Sequence, residues 1–116
     1  MPDKANDYLG SFEQVVLLAI VRLRDKAYGM TVRRELESRI GRSVSLGAVY
    51  ATLDRLEEKG YVESHEGPAG ASRGGRAKRF FLVKPAGMAA LHRSLDVIAD
   101  MTKGLRGLRR PLGGVS

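Results

Sequence analysis

The spacing of apolar residues changes near Gly60, and this change restricts the fold more than any other feature of the sequence. Before it, apolar residues recur at helical spacing in three segments, residues 12–26, 30–40 and 46–59. After it, residues 61–66 and 79–83 have the alternating or aromatic and branched pattern that is typical of strands. A last helix is predicted from Ala86 to Lys103, with Pro85 at its start.

Local signals predict where these elements begin and end. Ser11 and Ser45 are predicted N-caps of the first and third helices. Gly41 and Gly60 are predicted to end the second and third helices. The first helix carries apolar residues on more than one side, which suggests burial against a partner subunit as well as its own core. Three short helices followed by a hairpin predict a mainly α (α+β) fold, a winged helix-turn-helix.

Charge is distributed unevenly along this 116-residue chain, which is the length of one domain. The net charge is +7, composed of −1 in residues 1–66 and +8 in residues 67–116. Such asymmetry favours a polyanionic partner, with nucleic acid before an anionic membrane, although a basic surface that only aids solubility stays an alternative.

Several kinds of function are disfavoured. The chain has no cysteine, which excludes disulfides and cysteine-ligated zinc. The longest apolar run, Val15 to Val21, is far shorter than the ~20 residues that span a bilayer, and acidic residues precede it. His65 and His92 have no framing ligands for a metal site. We therefore expect a soluble, cytoplasmic protein that is not an enzyme, needs no cofactor and does not bind a membrane.

The segment GPAGASRGGRAKRF, residues 67–80, joins the two predicted strands. It lacks the Lys and the hydroxyl residue that a P-loop needs after its last glycine. We interpret it as a basic wing, with charge from Arg73, Arg76, Lys78 and Arg79, although strand alternation prevents all four from facing one way. Its tip, residues 67–72, is expected to be poorly ordered without DNA.

The third predicted helix has two different faces. At 100° per residue, Val49, Leu53 and Leu56 fall on a core-facing side. The opposite side and its flanks carry Gly47, Ala48, Tyr50, Ala51, Asp54 and Arg55. Small residues would let the backbone sit deep in a major groove, and the N–H groups beside Ser45 could meet a phosphate. Packing of another helix on the small residues stays an alternative.

The last helix has a heptad seam. Spacings of 3, 4, 3, 4 and 3 relate its members, which are Met88, Leu91, Leu95, Ile98, Thr102 and Leu105. This seam predicts dimerisation. Packing on the chain's own first helix is the alternative, and both arrangements could hold together.

At several of these residues the sequence resembles the PadR-like transcriptional regulators. SLGAVYATLDRLEEKG, residues 45–60, resembles their recognition helix, and Tyr28-Gly29 resembles the Tyr-Gly at the start of their second helix. Arg73-Gly74-Gly75-Arg76 with Phe80 and Leu82 resembles their wing and third strand. The resemblance runs from about residue 11 to residue 87. Val83-Lys84-Pro85 departs from the family's usual Leu-Thr, so the entry to the last helix is expected to differ.

The resemblance implies a dimeric bacterial repressor that binds double-stranded DNA at a palindromic operator. It carries DNA contacts over to Ser45, Gly47, Tyr50, Arg73 and Arg76, and the helix and strand patterns add Ala48, Ala51, Arg55 and Lys78. The expected organisation is a flexible arm (1–10), a winged helix DNA-binding domain (11–84), a C-terminal dimerisation helix (85–105) and a flexible basic tail (106–116).

Three alternatives stay open at this point. Some members of the family bind flat aromatic ligands between subunits, but this chain has no Phe, Tyr or Trp after Phe81. A small-molecule effector would therefore need an aliphatic or methionine-lined pocket that uses Met88 and Met101. The Arg-Gly run would also suit an RNA-binding module. A protein-interaction adaptor that pairs but binds no nucleic acid is the third reading.

Overall fold

Four α-helices and one antiparallel hairpin form the part of the chain that this computed structural model describes, residues 9–67 and 78–108. In chain order they are α1 (Ser11–Leu23), α2 (Gly29–Ile40), α3 (Leu46–Glu58), β1 (Val62–Glu66), β2 (Arg79–Val83) and α4 (Pro85–Thr102), with short 3₁₀ turns at Arg24–Lys26 and Arg106–Leu108. The predicted fold class, a mainly α winged helix-turn-helix with a further C-terminal helix, is confirmed. Residues 1–8, which include most of the predicted arm, and residues 109–116 of the predicted tail lie outside the described residues.

The start of α1 differs from the sequence prediction. Gly10, and not Ser11, is the N-cap, because the side chain of Glu13 turns back and accepts a hydrogen bond from the Gly10 N–H at 2.9 Å. Leu9, which the sequence placed in the arm, is buried in the core. The helix also ends earlier than predicted, since residues 24–26 tighten into a 3₁₀ turn.

The other helix ends agree with their local signals. Gly41 follows α2 with φ of 83°, the left-handed conformation that ends many helices and that glycine adopts without strain. The hydroxyl of Ser45 accepts a hydrogen bond from the Ala48 N–H at 3.2 Å, which confirms it as the N-cap of α3. Gly60, with φ of 80°, turns the chain from α3 into β1.

Helices and hairpin share one apolar core. Val49, Leu53 and Leu56 are fully buried, as the helical spacing predicted. They belong to one core with buried side chains from the other helices and both strands, chiefly Val16, Leu17, Ile20, Val32, Leu36, Val62, Phe81, Ala90 and Leu91. Burying each large apolar side chain contributes about 1.5–3 kcal/mol, so this shared core holds α3 in a fixed orientation.

The hairpin is anchored to the segment between α1 and α2. Its strands pair with Val62 opposite Val83 and Glu66 opposite Arg79. On the other edge of β2, the Phe81 N–H donates to the Ala27 carbonyl at 2.9 Å, and Tyr28 bridges Phe80. The start of α2 is therefore tied to the base of the wing.

The first half of α4 packs on the domain and its second half extends from it. Lys84 is the N-cap of α4, and its side chain makes no capping hydrogen bond. Pro85 is the first helical residue, a position that suits proline, and it lies where the sequence departs from the family pattern. Gly87 lies against the Tyr61 carbonyl so closely that a Cβ would fall well inside 3.0 Å of it. From residue 95 onward, most side chains of α4 are exposed. None of the helices in residues 9–67 and 78–108 has the length and apolar character to cross a bilayer.

Candidate nucleic-acid interface

The turn before α3 is fixed by two side chains of α2. Arg33 Nε donates to the Val44 carbonyl at 3.0 Å, and a carboxylate oxygen of Glu37 accepts from the Val44 N–H at 2.9 Å. Both polar backbone groups of Val44 are thus held by α2, while its side chain is buried. This pair was not predicted from the sequence, although the i,i+4 spacing of Arg33 and Glu37 was available as a signal.

The face of α3 opposite the core is open in this chain. Ser45, Gly47, Ala48, Tyr50, Ala51, Asp54 and Arg55 are all exposed. No helix of the described part of the chain covers Gly47 or Ala51, so packing among the described residues does not account for their small size. A helix face with little side-chain bulk can bring its backbone close to base edges in a major groove.

Tyr50 leans from α3 toward the start of α2. A Cβ added to Gly29 would lie 2.9 Å from the Tyr50 Cε2 atom, and closer still to Cζ and the hydroxyl. The tyrosine nevertheless keeps 39% of its surface exposed. The edge of its ring and its hydroxyl therefore lie beside the start of α2, while part of the residue stays exposed.

A small aromatic cluster joins the wing base to α2. Lys78 Nζ donates to the Tyr28 hydroxyl at 3.2 Å and lies 4.4 Å from the centroid of that ring. Phe80 packs edge-on against Tyr28, and His65 stacks on Phe80. This cluster places the Lys78 ammonium, a predicted DNA contact, beside the N-terminus of α2. Arg73, Arg76 and the predicted wing tip beyond Gly67 lie outside the described residues.

Arg79 bonds to α3, although the sequence suggested it as one source of wing charge. Its guanidinium pairs with Glu57 and with Asp54 at 3.4 Å, and it also donates to the Ser64 hydroxyl at 3.1 Å. The Ser64 hydroxyl and this guanidinium hold the pKa of the Glu57 carboxyl below its ordinary value. Arg79 thus connects β2 to α3 and compensates the charge of two acids, of which Asp54 lies on the exposed face of α3.

A buried carboxylate also lies beside the C-terminal end of α3. Glu13 accepts hydrogen bonds from Lys59 Nζ at 3.0 Å and from Arg55 Nε at 3.3 Å, in addition to the Gly10 N–H. Burial raises the pKa of Glu13, but the Gly10 N–H, Lys59 and Arg55 together lower it by more, so it lies below 4.5. The DNA contact of Arg55 stays a prediction, and it would use the guanidinium nitrogens that Glu13 does not hold.

The heptad seam of α4 is divided between two environments. Leu91 is buried in the chain's own core, and Met88 and Thr102 are half-buried. Leu95 and Ile98 are exposed, as are the nearby Val97 and Met101. Leu105 is also exposed, but α4 ends at Thr102 and Gly104 has a left-handed φ of 80°, so Leu105 lies beyond the helix that carries the seam. Thr102 satisfies its hydroxyl within the helix, by donating to the Ile98 carbonyl at 2.9 Å.

The three helices, the hairpin tied to α2 and the exposed face of α3 define a winged helix-turn-helix protein. The model of the Transcriptional regulator PadR-like family matches residues 17–93, which is more than half of the chain. The chain belongs to this family.

Individual proteins support this assignment. The chain is 34% identical over 83 residues to Transcriptional regulator Rv3488 of Mycobacterium tuberculosis (strain ATCC 25618 / H37Rv), covering 72% of this chain and 73% of that one. The structure of RosR from H. salinarum is 25% identical, with a TM-score of 0.65 over 83% of this chain and 79% of that chain. A PadR-like transcriptional regulator from Bacillus cereus strain ATCC 14579 is 20% identical, with a TM-score of 0.67 over 84% and 89% of the two chains, and shows the shared fold.

Family membership settles two of the sequence predictions. The protein is a PadR-like transcriptional regulator, a class that acts by binding DNA. The prediction that it is not an enzyme is confirmed by the same assignment.

Proposed function

We propose that this protein is a homodimeric repressor that binds a palindromic operator in the bacterial cytoplasm. The observation that carries the proposal is the exposed face of α3 with its small residues, which we call the reading face. The other side of this helix is fully buried. In this arrangement α3 enters the major groove and the wing contacts the backbone or the minor groove.

The proposed DNA contacts have different tasks. Gly47, Ala48 and Ala51 allow close approach of the α3 backbone to base edges, whereas Ser45 and Tyr50 meet phosphate or sugar. Lys78 supplies positive charge at the wing base, and the sequence assigns the same task to Arg73 and Arg76. Arg55, on the flank of α3 opposite Tyr50, is the last of the proposed DNA contacts.

The second half of α4 supports the homodimer. Leu95 and Ile98 continue the seam along α4 and are exposed, with Ile98 at 54%. Exposed apolar residues at heptad spacing are buried most simply against a second copy of the same helix. A two-fold dimer would place two α3 helices about one DNA turn, ~34 Å, apart, which matches the half-sites of a palindrome. An effector pocket near Met88 and Met101 between the subunits stays a prediction.

The test uses DNA from upstream of the chromosomal gene, searched for an inverted repeat. Fluorescence anisotropy compares this duplex with a scrambled duplex and with single-stranded RNA. We expect preference for the inverted repeat, a strong decrease in affinity with salt, and reduced transcription from that promoter in vitro. RNA binding in preference to duplex would favour the RNA-binding module, and binding to none of the three would favour the adaptor. Increased transcription would contradict the repressor.

A further inference from the structure

We propose that Gly29 is a positioning residue for DNA recognition, because its bare Cα at the start of α2 sets where the side chain of Tyr50 lies on α3. The inference rests on the proposed function, in which Tyr50 is one of the DNA contacts. It assigns to a residue of α2, which is itself buried, a part in the geometry of the reading face.

The contact between the two residues is closer than any side chain at position 29 would allow. A Cβ on Gly29 would meet the Cε2, Cζ and Oη atoms of Tyr50, the most distant of them at 2.9 Å. Cβ atoms in proteins essentially never approach other heavy atoms within 3.0 Å. The edge of the tyrosine ring therefore occupies the volume that a side chain at position 29 would take.

The backbone does not explain glycine at this position. Among the described glycines, the positive-φ conformations are those of Gly41, Gly60 and Gly104, and Gly29 is the first residue of a regular α-helix. Glycine is also a poorer helix former than alanine. A glycine here thus needs another reason, and the tyrosine ring supplies one.

The consequence of filling this space falls on Tyr50 and not on the fold. The atoms in the way are the far end of a side chain that is 39% exposed, so the ring can rotate toward solvent. An O–H···O hydrogen bond has a length of about 2.5–3.0 Å, so a hydroxyl moved by more than about 1 Å loses its acceptor. Alanine at position 29 would therefore leave a folded protein whose tyrosine no longer meets its phosphate or sugar.

The experiment is a double-mutant cycle on operator binding. It compares the full-length wild type with Gly29→Ala, Tyr50→Ala and the double variant, and it includes Tyr50→Phe, which removes only the hydroxyl. We expect Gly29→Ala to weaken binding to the inverted-repeat duplex about tenfold, the size of effect of one hydrogen bond to a charged group. In the Tyr50→Ala background the same change should alter affinity by less than about twofold, since no ring is left to displace.

Two readouts separate positioning from a structural role. Thermal unfolding of Gly29→Ala should be unchanged or shifted upward, since alanine favours the helix. In the DNA-free wild type, the Hα resonances of Gly29 should carry a ring-current shift that Tyr50→Ala removes. Absence of that shift would overturn the inference without reference to DNA.

The remaining outcomes distinguish this inference from the proposed function. If the wild type prefers the operator and Gly29→Ala binds it equally well, the positioning role is wrong and the proposed function stands. If Gly29→Ala weakens binding equally with and without the Tyr50 ring, the effect does not act through Tyr50 and the inference also fails. If the wild type shows no preference for any duplex, the proposed function fails and the inference fails with it.

Discussion

The carboxylate of Glu13, in the first turn of α1, accepts hydrogen bonds from the ammonium of Lys59, just after the end of α3, at 3.0 and 3.2 Å. The two residues are 46 positions apart in sequence. Only 8% of the Glu13 side chain is exposed, so its charge depends on these partners. The pair joins the beginning of the domain to the end of the helix that we propose reads DNA.

Removing this carboxylate should destabilise the fold. Glu13→Ala leaves the Gly10 N–H without its acceptor and Lys59 without its partner, which should lower the free energy of unfolding by about 2 kcal/mol. Glu13→Gln should cost less, because the amide oxygen still caps Gly10. Urea unfolding measures both, with Glu58→Ala, an exposed acid of α3, as a control that should stay within about 0.5 kcal/mol of wild type. Equal stability of Glu13→Ala and Glu58→Ala would contradict this prediction.

The same carboxylate should make stability depend on pH. Since the folded-state pKa of Glu13 lies below its ordinary value of 4.5, its contribution is present above pH 4.5 and is lost as the pH falls through the folded pKa. The difference in unfolding free energy between wild type and Glu13→Gln should therefore shrink below pH 4.5. The pKa of Glu57 is also lowered, by Ser64 and Arg79, and that of Glu35 is lowered by Arg39 and Arg22. Because the wild type and Glu13→Gln both retain these groups, they do not contribute to the difference between the two proteins. Parallel stability curves from pH 7 to pH 3 would show that Glu13 is not the group responsible.

Arg79 should affect DNA binding through the acids that it pairs. Arg79→Met leaves Asp54 and Glu57 uncompensated near the reading face, so affinity for all duplexes should fall. Lys84→Met removes the same charge at an exposed site and serves as the matched control. Anisotropy should show a greater loss for Arg79→Met, and Glu57→Gln should restore part of it. Stability should change by less than about 1 kcal/mol, because the pairs are partly exposed. Equal losses in the two methionine variants would rule out this role of Arg79.

A larger side chain on the open face of α3 should impair operator binding without unfolding the protein. Ala51→Leu adds bulk where the helix is proposed to approach base edges, and at least a tenfold loss of operator affinity, ~1.4 kcal/mol, is expected. Its unfolding free energy should stay within about 0.5 kcal/mol of wild type, since residue 51 is exposed. Ala86→Leu, an exposed alanine of α4, is the control. Operator affinity like that of wild type would place the DNA elsewhere.

The exposed half of the α4 seam should control assembly. Ile98→Ser removes an apolar side chain that is 54% exposed in the monomer, so it should raise the dimer dissociation constant about tenfold or more. Ala99→Ser changes the neighbouring exposed residue outside the seam and should leave assembly unchanged. Sedimentation equilibrium measures both. A wild-type protein that stays monomeric at all concentrations would contradict the dimer itself.

Most of the fold could be predicted because its signals are local. The periodicity that buries Val49, Leu53 and Leu56, the cap at Ser45 and the left-handed Gly41 each depend on residues a few positions apart. The exposed face of α3 follows from the same periodicity, since a helix with one buried side presents the other. The N-cap of α1 was misplaced because a bare glycine gives no signal and the acceptor comes from Glu13.

The sequence by itself determined the order of the elements, which helix faces are apolar, and the family. Only the tertiary structure decided which distant polar groups meet: Glu13 with Lys59, Arg79 with Glu57, and Tyr50 with the bare Cα of Gly29. Hydrophobic periodicity states which side of a helix leaves water, but it leaves open the angle at which two helices cross. Long side chains find their partners only after that angle is fixed by packing, and it is packing that brings the start of α2 against the reading helix.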